Sequence, residues 1–383
     1  MRVLVATVPA TGHVLPMAPL ITAMVAAGDE VTVAAHPSLA PHVERTGAAL
    51  WPAGSDEPTW FTRLAARTRG RPGDGILASR IDHYFVPRAF GEIGTDDLLD
   101  DVAAGAEATD PQLVLFETYA FVGPLVAATR GIPAVQHLLG PLLDPDVLDL
   151  ANDAVSPLWR SLGLDAPGYA GCYEGPTIRI CPPSLDRGTV PRGTTLWLRP
   201  APPPLGPSEG CGDRPLVYVT LGTFFAGNLD VVRAILDELA DEPLDVLVTL
   251  GADGDPAALG DAPANATVER FVPQAALLPR CAAVVHHGGG GTTFGALAHG
   301  LAQVVLPQGA DNFRNAALLE AAGVSRTIAP DELGPAAVRT AVRAVLDEPR
   351  YAAAARALRA EIDAMPTPEA VAAELGTLAA ASR

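Results

Sequence analysis

The stretch Val284–Gly300, which runs VVHHGGGGTTFGALAHG, decides the fold more than any other part of the chain. Two valines lead into two histidines and four glycines, and an Ala/Leu-rich helical pattern follows. This order predicts a buried strand, a turn of bare backbone at 288–291 and a helix that begins near Thr292. Because glycine has no Cβ, a ligand can approach the N–H groups of such a turn closely. The positive end of the helix dipole suits a phosphate, which His287 would also contact, although a merely flexible turn fits the same letters.

The length and apolar content of the chain are typical of a globular protein with two domains. A chain of 383 residues is too long for one ordinary hydrophobic core, and 49% of its residues are hydrophobic. No apolar run approaches the roughly 20 residues that cross a bilayer. The N-terminal segment MRVLVATVP enters a strand pattern directly and lacks the long apolar core and cleavage site of a signal peptide. We therefore expect a cytoplasmic protein with no membrane partner.

The charge and the residue types exclude several classes of function. The net charge of −18 repels a phosphate backbone, so nucleic acid is not an expected partner. All 26 basic residues are arginine, which excludes a Schiff-base lysine for pyridoxal phosphate and the lysine of a P-loop. The four cysteines form no C-x-x-C pair and have no histidine at metal-ligand spacing. We therefore expect free thiols rather than structural zinc.

Strand and helix patterns alternate along the chain, which predicts an α/β fold with parallel sheets covered by helices. Apolar runs typical of buried parallel strands lie at 2–8, 30–36, 48–52, 112–117, 133–137, 215–223, 245–251, 266–272, 282–287 and 302–307. Helical patterns lie at 16–27, 39–46, 86–106, 120–130, 229–240, 292–299, 312–322 and, with interruptions, 335–381. Two similar α/β units with a cleft between them are the simplest architecture for this pattern.

A Pro/Gly-rich segment at 200–214 has the composition of a linker. It separates an N-terminal unit, 1–199, from a second unit that begins at 215. In the N-terminal unit the alternation breaks at 54–110, and 138–175 is also irregular. Loops at the carboxyl ends of parallel strands build the ligand crevice of an open α/β sheet. Both regions are therefore candidates for a substrate pocket, although ordinary surface excursions fit as well.

A histidine follows the first predicted strand, in the turn Thr11-Gly12-His13. The dinucleotide fingerprint G-x-G-x-x-G is absent there, which disfavours a nicotinamide or flavin cofactor. Histidine is the usual general base near neutral pH, and such a base needs its second ring nitrogen held, commonly by a carboxylate. Glu117 ends an apolar strand, and an acidic residue at that position is unusual unless it has a partner. His13 and Glu117 are candidates for a catalytic pair, although a surface histidine and a solvated strand end fit the same letters.

Five motifs occur in an order that resembles the family 1, GT-B fold, nucleotide-sugar-dependent glycosyltransferases. They are T-G-H-V-x-P at 11–16, TLGT at 220–223, FVPQ at 271–274, HHGGGGTT at 286–293 and P-x-x-x-D-N-x-x-N-A at 307–316. The similarity spans essentially the whole chain. PPSL at 182–185 and EIDAMPTPEAV at 361–371 are similar to bacterial natural-product enzymes, especially those that decorate enediynes such as calicheamicin.

The resemblance implies two Rossmann-like α/β domains whose parallel sheets face a central cleft. The acceptor-binding domain would be 1–199 and the nucleotide-sugar-binding domain 215–364. A C-terminal helix at 365–383 would pack back on the first domain.

The resemblance also implies roles for single residues. His13 matches the catalytic base, and Glu117 stands where the family has an Asp that orients this base. The positions implied to bind the donor are Thr223, Phe271, Val272, Gln274, His287, Gly289, Gly291, Thr292, Asp311 and Asn312. Phe271 replaces a Trp that stacks on the nucleotide base. Asn312 replaces a Gln that grips a donor-sugar hydroxyl, which favours a sugar other than glucose, such as a deoxysugar.

The pocket-forming regions supply apolar and aromatic side chains of the kind that binds a small hydrophobic acceptor. They are Trp60, Phe61, Tyr84, Phe85, Phe90, Leu138 and Leu142. This set favours a flat hydrophobic aglycone such as a polyketide or an enediyne, although core packing explains any single member equally well.

The reaction expected from these parts is one displacement that inverts the anomeric configuration, with a TDP- or UDP-sugar as co-substrate and no cofactor. His13 takes the proton of the acceptor hydroxyl, while the helix N-terminus and His287 stabilise the leaving diphosphate in place of a metal. D-x-D triplets lie at 144–146 and 253–255. Their central Pro and Gly, and the lack of further ligands beside them, favour turns over a metal site.

Three other classes of function remain open at this point. A nucleotide-sugar 2-epimerase shares the two-domain fold but needs acid/base carboxylates near the sugar C2 and no acceptor pocket. A catalytically silent helper of a partner glycosyltransferase is expected to lack His13 or the glycine-rich turn, and both are present. A lectin-like module needs no diphosphate site. The linkage atom stays open among O, N, S and C, and a monomer or a homodimer is expected.

Overall fold

Two α/β units, each built on a parallel sheet, form the chain in a computed structural model. The structure describes residues 1–68, 81–189, 192–200, 214–222, 228–251 and 254–381. The first unit comprises Met1–Ile180, Arg187–Arg199 and Met365–Arg383, and the second comprises Cys181–Asp186 and Pro200–Ala364. Most of the predicted linker, 201–213, lies outside the described residues. The predicted α/β fold class with two parallel-sheet domains is confirmed.

Seven parallel strands form the sheet of the first unit. They are β1 (Arg2–Ala6), β2 (Glu30–Ala35), β3 (Ala49–Pro52), β4 (Leu113–Glu117), β5 (Ala134–His137), β6 (Thr177–Arg179) and β7 (Thr195–Trp197). Their order is β3-β2-β1-β4-β5-β6-β7, so the strand order reverses at β1, which lies between β2 and β4. Central apolar residues such as Leu4 and Leu115 are fully buried. Ligand crevices of open α/β sheets lie at such a reversal, beyond the carboxyl ends of the strands.

Before residue 180, the described part of the first unit contains eight α-helices. They are α1 (Thr11–Val14), α2 (Ala18–Ala26), α3 (Ala40–Glu44), α4 (Glu57–Thr68), α5 (Ile81–Phe85), α6 (Thr95–Thr109), α7 (Val122–Arg130) and α8 (Pro145–Ser161). A π-helix, Val86–Gly94, joins α5 to α6, and short 3-10 turns lie at Pro37–Leu39 and Tyr169–Gly171.

Six parallel strands form the sheet of the second unit. They are β8 (Leu216–Thr220), β9 (Asp245–Thr249), β10 (Ala266–Glu269), β11 (Ala283–His286), β12 (Ala302–Val305) and β13 (Ser325–Thr327), in the order β10-β9-β8-β11-β12-β13. The helices are α9 (Leu229–Leu239), α10 (Gln274–Leu277), α11 (Gly290–Ala298), α12 (Asn312–Ala321), α13 (Ala337–Asp347) and α14 (Pro349–Ala364). Here the strand order reverses at β8, between β9 and β11.

The last helix, α15 (Pro368–Ala381), belongs to the first unit and packs on α2. Its residues Val371, Ala372, Leu375 and Ala379 are buried at the spacing of one helical face. The backbone N–H of Arg199 donates to the carbonyl of Pro366 at 2.9 Å, which ties the start of this segment to the end of the same unit.

Two expectations about the first unit are wrong in detail. The region 138–175 is not irregular throughout, because it contains the 17-residue helix α8. Val147, Ala151, Val155 and Trp159 of that helix are buried, and their four-residue spacing is a helical signal that the pattern reading overlooked. The helix predicted at 86–106 begins as a π-helix, in which two glycines lie against other side chains.

In the described part of the chain, no helix has the length and apolar character that crossing a membrane would require.

Candidate active site

His13 and Glu117 approach each other at the carboxyl ends of two neighbouring strands. β1 and β4 pair in parallel, with Ala6 opposite Phe116, so the residues that follow them emerge at the same edge of the sheet. His13 lies in α1, soon after β1, and Glu117 is the last residue of β4. The Nδ1 atom of His13 lies 3.1 Å from the Oε1 atom of Glu117. The structure therefore brings together the candidate catalytic pair.

The carboxylate of Glu117 is held in a fixed orientation. Its side chain has no exposed surface. Oε2 accepts a hydrogen bond from the backbone N–H of Tyr119 at 2.8 Å, and Oε1 accepts a longer one from the N–H of Val8 at 3.4 Å. A carboxylate fixed beside Nδ1 favours the tautomer of His13 that carries its proton there, which puts the basic lone pair on Nε2. This arrangement suits a general base.

An aromatic cluster lies beside the imidazole of His13. The rings of Tyr119 and Phe90 lie 5.5 and 5.8 Å from it, and they stack on each other at 4.6 Å. The buried ring of Trp60 packs against Phe90 at 5.4 Å. Trp60 and Phe90 were predicted to line an apolar pocket. Tyr119 was missed, although its place two residues after Glu117 would have indicated it.

The π-helix places Phe90 in this cluster. The hydroxyl of Thr95 donates to the carbonyl of Phe90 at 3.0 Å, across the five residues of π-helical spacing. A Cβ on Gly94 would overlap the ring of Trp60, and one on Gly91 would lie 3.0 Å from a side chain of α8. The two glycines therefore let the π-helix fit between Trp60 and α8.

A second carboxyl group, that of Glu57, interacts with His13. Burial raises the pKa of Glu57, and the electrostatic attraction of His13 opposes that rise. The loop before Glu57 is fixed by Asp97, whose carboxylate accepts hydrogen bonds from the N–H and the hydroxyl of Ser55 at 2.6 and 2.8 Å. No pattern in the sequence pointed to Glu57, because it lies in 54–110, where the strand–helix alternation breaks.

The other side chains predicted to line an acceptor pocket differ in their surroundings. Phe61 and Phe85 are partly buried, and their ring centroids lie 6.2 Å apart. An arginine guanidinium covers the ring of Tyr84 at 4.4 Å. Leu142 is partly buried against the core, whereas Leu138 has no exposed surface. Leu138 is therefore a core residue in this structure.

In the second unit, the glycine-rich turn Gly288–Gly291 joins β11 to α11. β11 and β8 pair in parallel, so His287 and Gly222, which follow them, emerge at the same edge. The nine-residue helix α11 begins at Gly290, two residues earlier than predicted, with Gly289 as its N-cap. The first N–H groups of a helix have no carbonyl partner within it and lie at the positive end of its dipole. This turn is therefore suited to bind phosphate oxygens.

Two glycines enclose the imidazole of His287. A Cβ on Gly289 would lie 2.9 Å from the Cε1 atom of the ring and closer still to Nε2. A Cβ on Gly222 would lie 2.8 Å from Nε2, and the φ angle of Gly222 is +74°, which other residues rarely adopt. Only glycine leaves room for the ring at these positions. Gly222 was quoted in the TLGT motif but was not predicted as a site residue.

His287 is a neutral group near pH 7. Burial lowers its pKa to about 4, and the attraction of Asp311 and a hydrogen bond with the backbone of Thr220 only partly oppose this effect. A neutral imidazole has a single N–H donor and no positive charge, so it donates to a phosphate only in place of the backbone carbonyl of Thr220. The positive potential at this site therefore comes from the N-terminus of α11.

The preceding residue, His286, fixes the backbone of the glycine-rich turn. Its Nδ1 atom accepts a hydrogen bond from the N–H of Gly288 at 3.0 Å, and its Nε2 atom lies 2.7 Å from Oε1 of Gln303. Because Nδ1 is an acceptor, Nε2 carries the proton and donates to Gln303. Gly288 has a φ angle of +97°, so the turn depends on glycine at this point.

The segment 271–274 contributes one exposed ring and one link to the turn. Phe271 is 65% exposed, so a face of its ring is available for stacking. Val272 packs against a small core cluster of the second unit. The amide of Gln274 donates to the hydroxyl of Thr292 at 3.0 Å, which joins two side chains that were predicted to bind the donor.

Asp311 and Asn312 lie at the start of α12. The oxygens of Asp311 accept hydrogen bonds from the amides of Asn312 at 3.3 Å and Asn315 at 2.9 Å. The Asn315 amide also donates to the carbonyl of Gly288 at 2.8 Å, which links this loop to the glycine-rich turn. Asn315 was not predicted as a site residue, although its spacing of four residues from Asp311 on a helix would have indicated the contact.

No group of three or more His, Cys, Asp or Glu side chains among the described residues could hold a metal ion. In the first D-x-D triplet, Asp144 is the N-cap of α8, and Oδ2 of Asp146 lies 2.7 Å from Nε2 of His83. In the second, Asp255 accepts the N–H of the residue two positions later at the start of a 3-10 turn. Two predicted positions, Thr223 and Asp253, lie outside the described residues.

We expect Gly289→Ala to weaken the binding of TDP by at least about threefold, because the added Cβ displaces the His287 ring and one hydrogen bond is lost. Isothermal titration calorimetry measures the effect. Gly376→Ala is the control, because nothing lies within 4 Å of a Cβ there. Unchanged affinity in Gly289→Ala would contradict the enclosure of His287 by glycine.

Because three of its histidines are buried, the protein is expected to lose folding stability in acid. Burial lowers the pKa of His137 to about 4, of His286 to about 3 and of His287 to about 4, against 6.5 in an exposed histidine. The unfolded chain therefore binds more protons below pH 6.5, so stability is full above that pH and is lost as the pH falls toward 4. In this window, each of these histidines lowers the free energy of unfolding by up to about 1.4 kcal/mol for each unit by which the pH falls.

Urea unfolding at about pH 7 and about pH 5 measures this loss. His286→Asn removes a titrating group while its Oδ1 atom can still accept the N–H of Gly288, so the loss should be smaller in this variant. Equal stability of the wild type at both pH values would show that the buried histidines do not titrate as described.

Comparisons with known proteins find relatives over nearly the whole chain. A family model described as "Erythromycin biosynthesis protein CIII-like, C-terminal domain" matches residues 233–378. The chain is 31% identical to the 10-deoxymethynolide desosaminyltransferase of Streptomyces venezuelae, over 100% of this chain and 98% of that one. It is 32% identical to the L-demethylnoviosyl transferase of Streptomyces niveus, over 97% of each chain.

A solved structure has the same fold over its whole length. The glycosyltransferase SsfS6 of Streptomyces sp. SF2575, in complex with thymidine diphosphate, superposes with a TM-score of 0.80. The two chains are 29% identical, and the match covers 98% of this chain and 99% of SsfS6.

Proposed function

We propose that this chain, which belongs to the family 1, GT-B fold glycosyltransferases, transfers a deoxysugar from a TDP-sugar. The acceptor is a hydrophobic natural product, and the reaction is a step of antibiotic biosynthesis. The observation that carries the proposal is the 3.1 Å contact between Nδ1 of His13 and Oε1 of the buried Glu117. This pair supplies the general base that such a transfer requires.

The reaction is a single displacement at the anomeric carbon of the donor. Nε2 of His13 takes the proton of the acceptor hydroxyl, and the oxygen forms a bond to the anomeric carbon from the face opposite the leaving group. The bond from that carbon to the diphosphate breaks, and the diphosphate leaves with the electron pair, so the configuration inverts. Glu117 stabilises the imidazolium that forms and keeps its orientation.

The glycine-rich turn of the second unit binds the donor diphosphate in this proposal. The N–H groups at the start of α11 and the neutral imidazole of His287 donate hydrogen bonds to its oxygens, and these bonds strengthen as negative charge develops on the leaving group. Phe271 stacks on the nucleotide base. The complex of SsfS6 with thymidine diphosphate supports TDP as the nucleotide. The desosaminyl and demethylnoviosyl groups in the names of the two relatives support a deoxysugar.

The acceptor lies against the aromatic cluster around His13. The rings of Phe90 and Tyr119 stack on each other and contact the imidazole, so a flat apolar aglycone such as a polyketide or an enediyne finds a matching surface there. Trp60 and Leu138 support the cluster from the core.

Product analysis tests the proposed activity. The purified protein is incubated with a TDP-deoxysugar and a panel of hydroxylated polyketide aglycones, and mass spectrometry detects an added sugar. The ¹H coupling constant of the anomeric proton in the product then gives the configuration. We expect a product of configuration opposite to the donor. Retention of configuration contradicts the single displacement, and donor hydrolysis or epimerisation without transfer contradicts the transferase.

We expect EDTA to change the transfer rate by less than about twofold, because helix N–H groups and an imidazole, rather than a cation, stabilise the leaving diphosphate. The initial rate is measured with EDTA and again after Mg²⁺ is added in excess. A loss of activity that Mg²⁺ restores would contradict this mechanism and would favour a metal site at the D-x-D triplets.

A further inference from the structure

The carboxyl group of Glu57 lies on the inward face of α4. Trp60 and Leu64 follow it by three and seven residues, so the three side chains share one stripe of the helix. Trp60 and Leu64 are buried, whereas Pro58 and Thr59, on the other side of the first turn, are exposed. Glu57 is therefore directed toward the interior of the first unit together with apolar side chains.

The stripe on α4 leads to the aromatic cluster beside His13. Trp60 packs against Phe90 at 5.4 Å, and Phe90 lies 5.8 Å from the imidazole of His13. Because side chains three residues apart on a helix are neighbours, Glu57 lies next to Trp60 in this cluster. The electrostatic attraction between Glu57 and His13 agrees with that placement. A flat apolar surface, a candidate base and a second carboxyl group thus lie together.

The carboxylate of Glu57 forms no hydrogen bond or ion pair with any group in the described part of the chain. His13 attracts it only at longer range, since Nδ1 of His13 pairs with Glu117 instead. Burial of a charge without donors is unfavourable and raises the pKa of Glu57, which the attraction of His13 only partly offsets. The side chain is only partly buried, so a ligand can reach it and supply the missing donor.

The start of α4 is fixed, so the position of Glu57 is set before a ligand binds. Asp56 caps the helix, because its Oδ1 atom accepts the N–H of the residue three positions later at 2.9 Å. Asp97 accepts hydrogen bonds from the N–H and the hydroxyl of Ser55 and pairs with Arg63 in the second turn of α4. A group held in this way binds a ligand with little further loss of conformational entropy.

The chemistry of the site limits the group that Glu57 recognises. An ionised carboxylate only accepts hydrogen bonds, so the group is an O–H or N–H donor. The attacked hydroxyl of the acceptor has a single proton, which goes to His13 in the proposed reaction, so the donor for Glu57 belongs to another group. A hydroxyl suits this position better than an ammonium, because an ammonium is repelled by the imidazolium that forms nearby.

We propose that Glu57 is a specificity-determining residue that accepts a hydrogen bond from a second hydroxyl of the acceptor, close to the hydroxyl that receives the sugar. The inference rests on the proposed function and deepens it, because it restricts the acceptors to flat apolar molecules with at least two hydroxyl groups. The aromatic cluster holds the apolar body of the acceptor, and the two polar contacts select the orientation that presents one hydroxyl to Nε2 of His13.

Binding of a matched set of small aromatic acceptors tests the inference. The set consists of 2-naphthol, which has one hydroxyl, and the isomers of dihydroxynaphthalene, which place a second hydroxyl at different positions. Calorimetry in the presence of TDP measures the dissociation constants. We expect at least one isomer to bind the wild type about tenfold more tightly than 2-naphthol, because a hydrogen bond to a charged group contributes about this factor. Glu57→Ala should abolish this advantage and change the affinity for 2-naphthol by less than about twofold.

Two further variants complete the test. Glu57→Gln keeps an acceptor oxygen without the charge, so an advantage of about two- to fivefold should remain. Glu107→Ala is the matched control, because Glu107 is an exposed glutamate on α6 of the same unit. This variant should keep the full advantage. All three variants should bind TDP with an affinity within about twofold of the wild type.

The outcomes are distinguishable. A preference for a dihydroxy isomer that persists in Glu57→Ala overturns the inference, because another group then binds the second hydroxyl. An equal loss of affinity for 2-naphthol and for that isomer in Glu57→Ala overturns it as well, because Glu57 then acts on the whole site. So does equal binding of 2-naphthol and every isomer by the wild type. If the wild type binds neither TDP nor any naphthol, the proposed function fails, and the inference fails with it. If it binds TDP but no naphthol, the flat apolar acceptor surface is wrong, and the inference is overturned while donor binding stands.

Discussion

Replacing His13 by alanine is expected to lower kcat for sugar transfer by at least about 10³-fold, with the dissociation constant of TDP changed by less than about twofold. In the proposed reaction the imidazole is the general base, so its loss removes the acceptor of the proton in the transition state. The proposed diphosphate site lies in the second unit, and its residues have no part in the contact between His13 and Glu117. Transfer assays at saturating donor and calorimetry with TDP measure the two effects separately.

Two further variants, one at the carboxylate partner and one as a control, test the same assignment. Glu117→Gln keeps the size of the side chain but removes the charge that stabilises the imidazolium, so kcat should fall by about 10²-fold or more. His42→Ala is the matched control, because His42 is a histidine of the same unit on α3, where it pairs with Arg45. Its kcat should equal that of the wild type. Transfer that survives in His13→Ala at more than about a tenth of the wild-type rate would show that another group is the base.

Replacing His287 by alanine is expected to weaken TDP binding by about 10- to 100-fold, because a hydrogen bond to a charged group contributes about 1.5–3 kcal/mol. The imidazole is 8% exposed and enclosed by Gly222 and Gly289, so its position is fixed before the ligand arrives. Since the pKa of His287 is lowered to about 4, the imidazole binds as a neutral donor, and the affinity should not rise as the pH falls from about 8 to about 6. Calorimetry at these two pH values checks both statements.

The control for this variant lies at the other end of α11. His299 is at the C-terminal end of α11, where its Nδ1 atom lies 2.8 Å from the carbonyl of Gly295. His299→Ala should leave TDP affinity unchanged. Equal affinity of His287→Ala and the wild type would contradict the assignment of the diphosphate site to the glycine-rich turn.

Sequence periodicity predicted the central strands because they are buried on both faces. Runs such as Val3–Val5 and Val284–Val285 are apolar without alternation, which is typical of parallel strands covered by helices. The contact between His13 and Glu117 could also be predicted from the sequence, because His13 follows the first strand, Glu117 ends another, and the carboxyl ends of parallel strands share one edge. The run of four glycines between an apolar strand and a helical pattern predicted the glycine-rich turn, and the resemblance to a known family located the residues of α12.

Other features depend on packing that no local pattern encodes. In the π-helix at Val86–Gly94, Gly91 and Gly94 lie against α8 and Trp60, which are distant in sequence. The role of Gly222 depends on the His287 ring, which arrives from a different strand. The motif pointed to Asn312 as a sugar-binding position, but the buried hydrogen bonds of its amide appear only once the loop is folded.

The most direct test of metal-independent donor binding is a calorimetric titration of the purified protein with TDP and with UDP, in buffer that contains EDTA. We expect TDP to bind in the micromolar range without metal and more strongly than UDP, with binding about 10- to 100-fold weaker in His287→Ala and changed by less than about twofold in His13→Ala. The absence of binding of either nucleotide by the wild type would contradict the account.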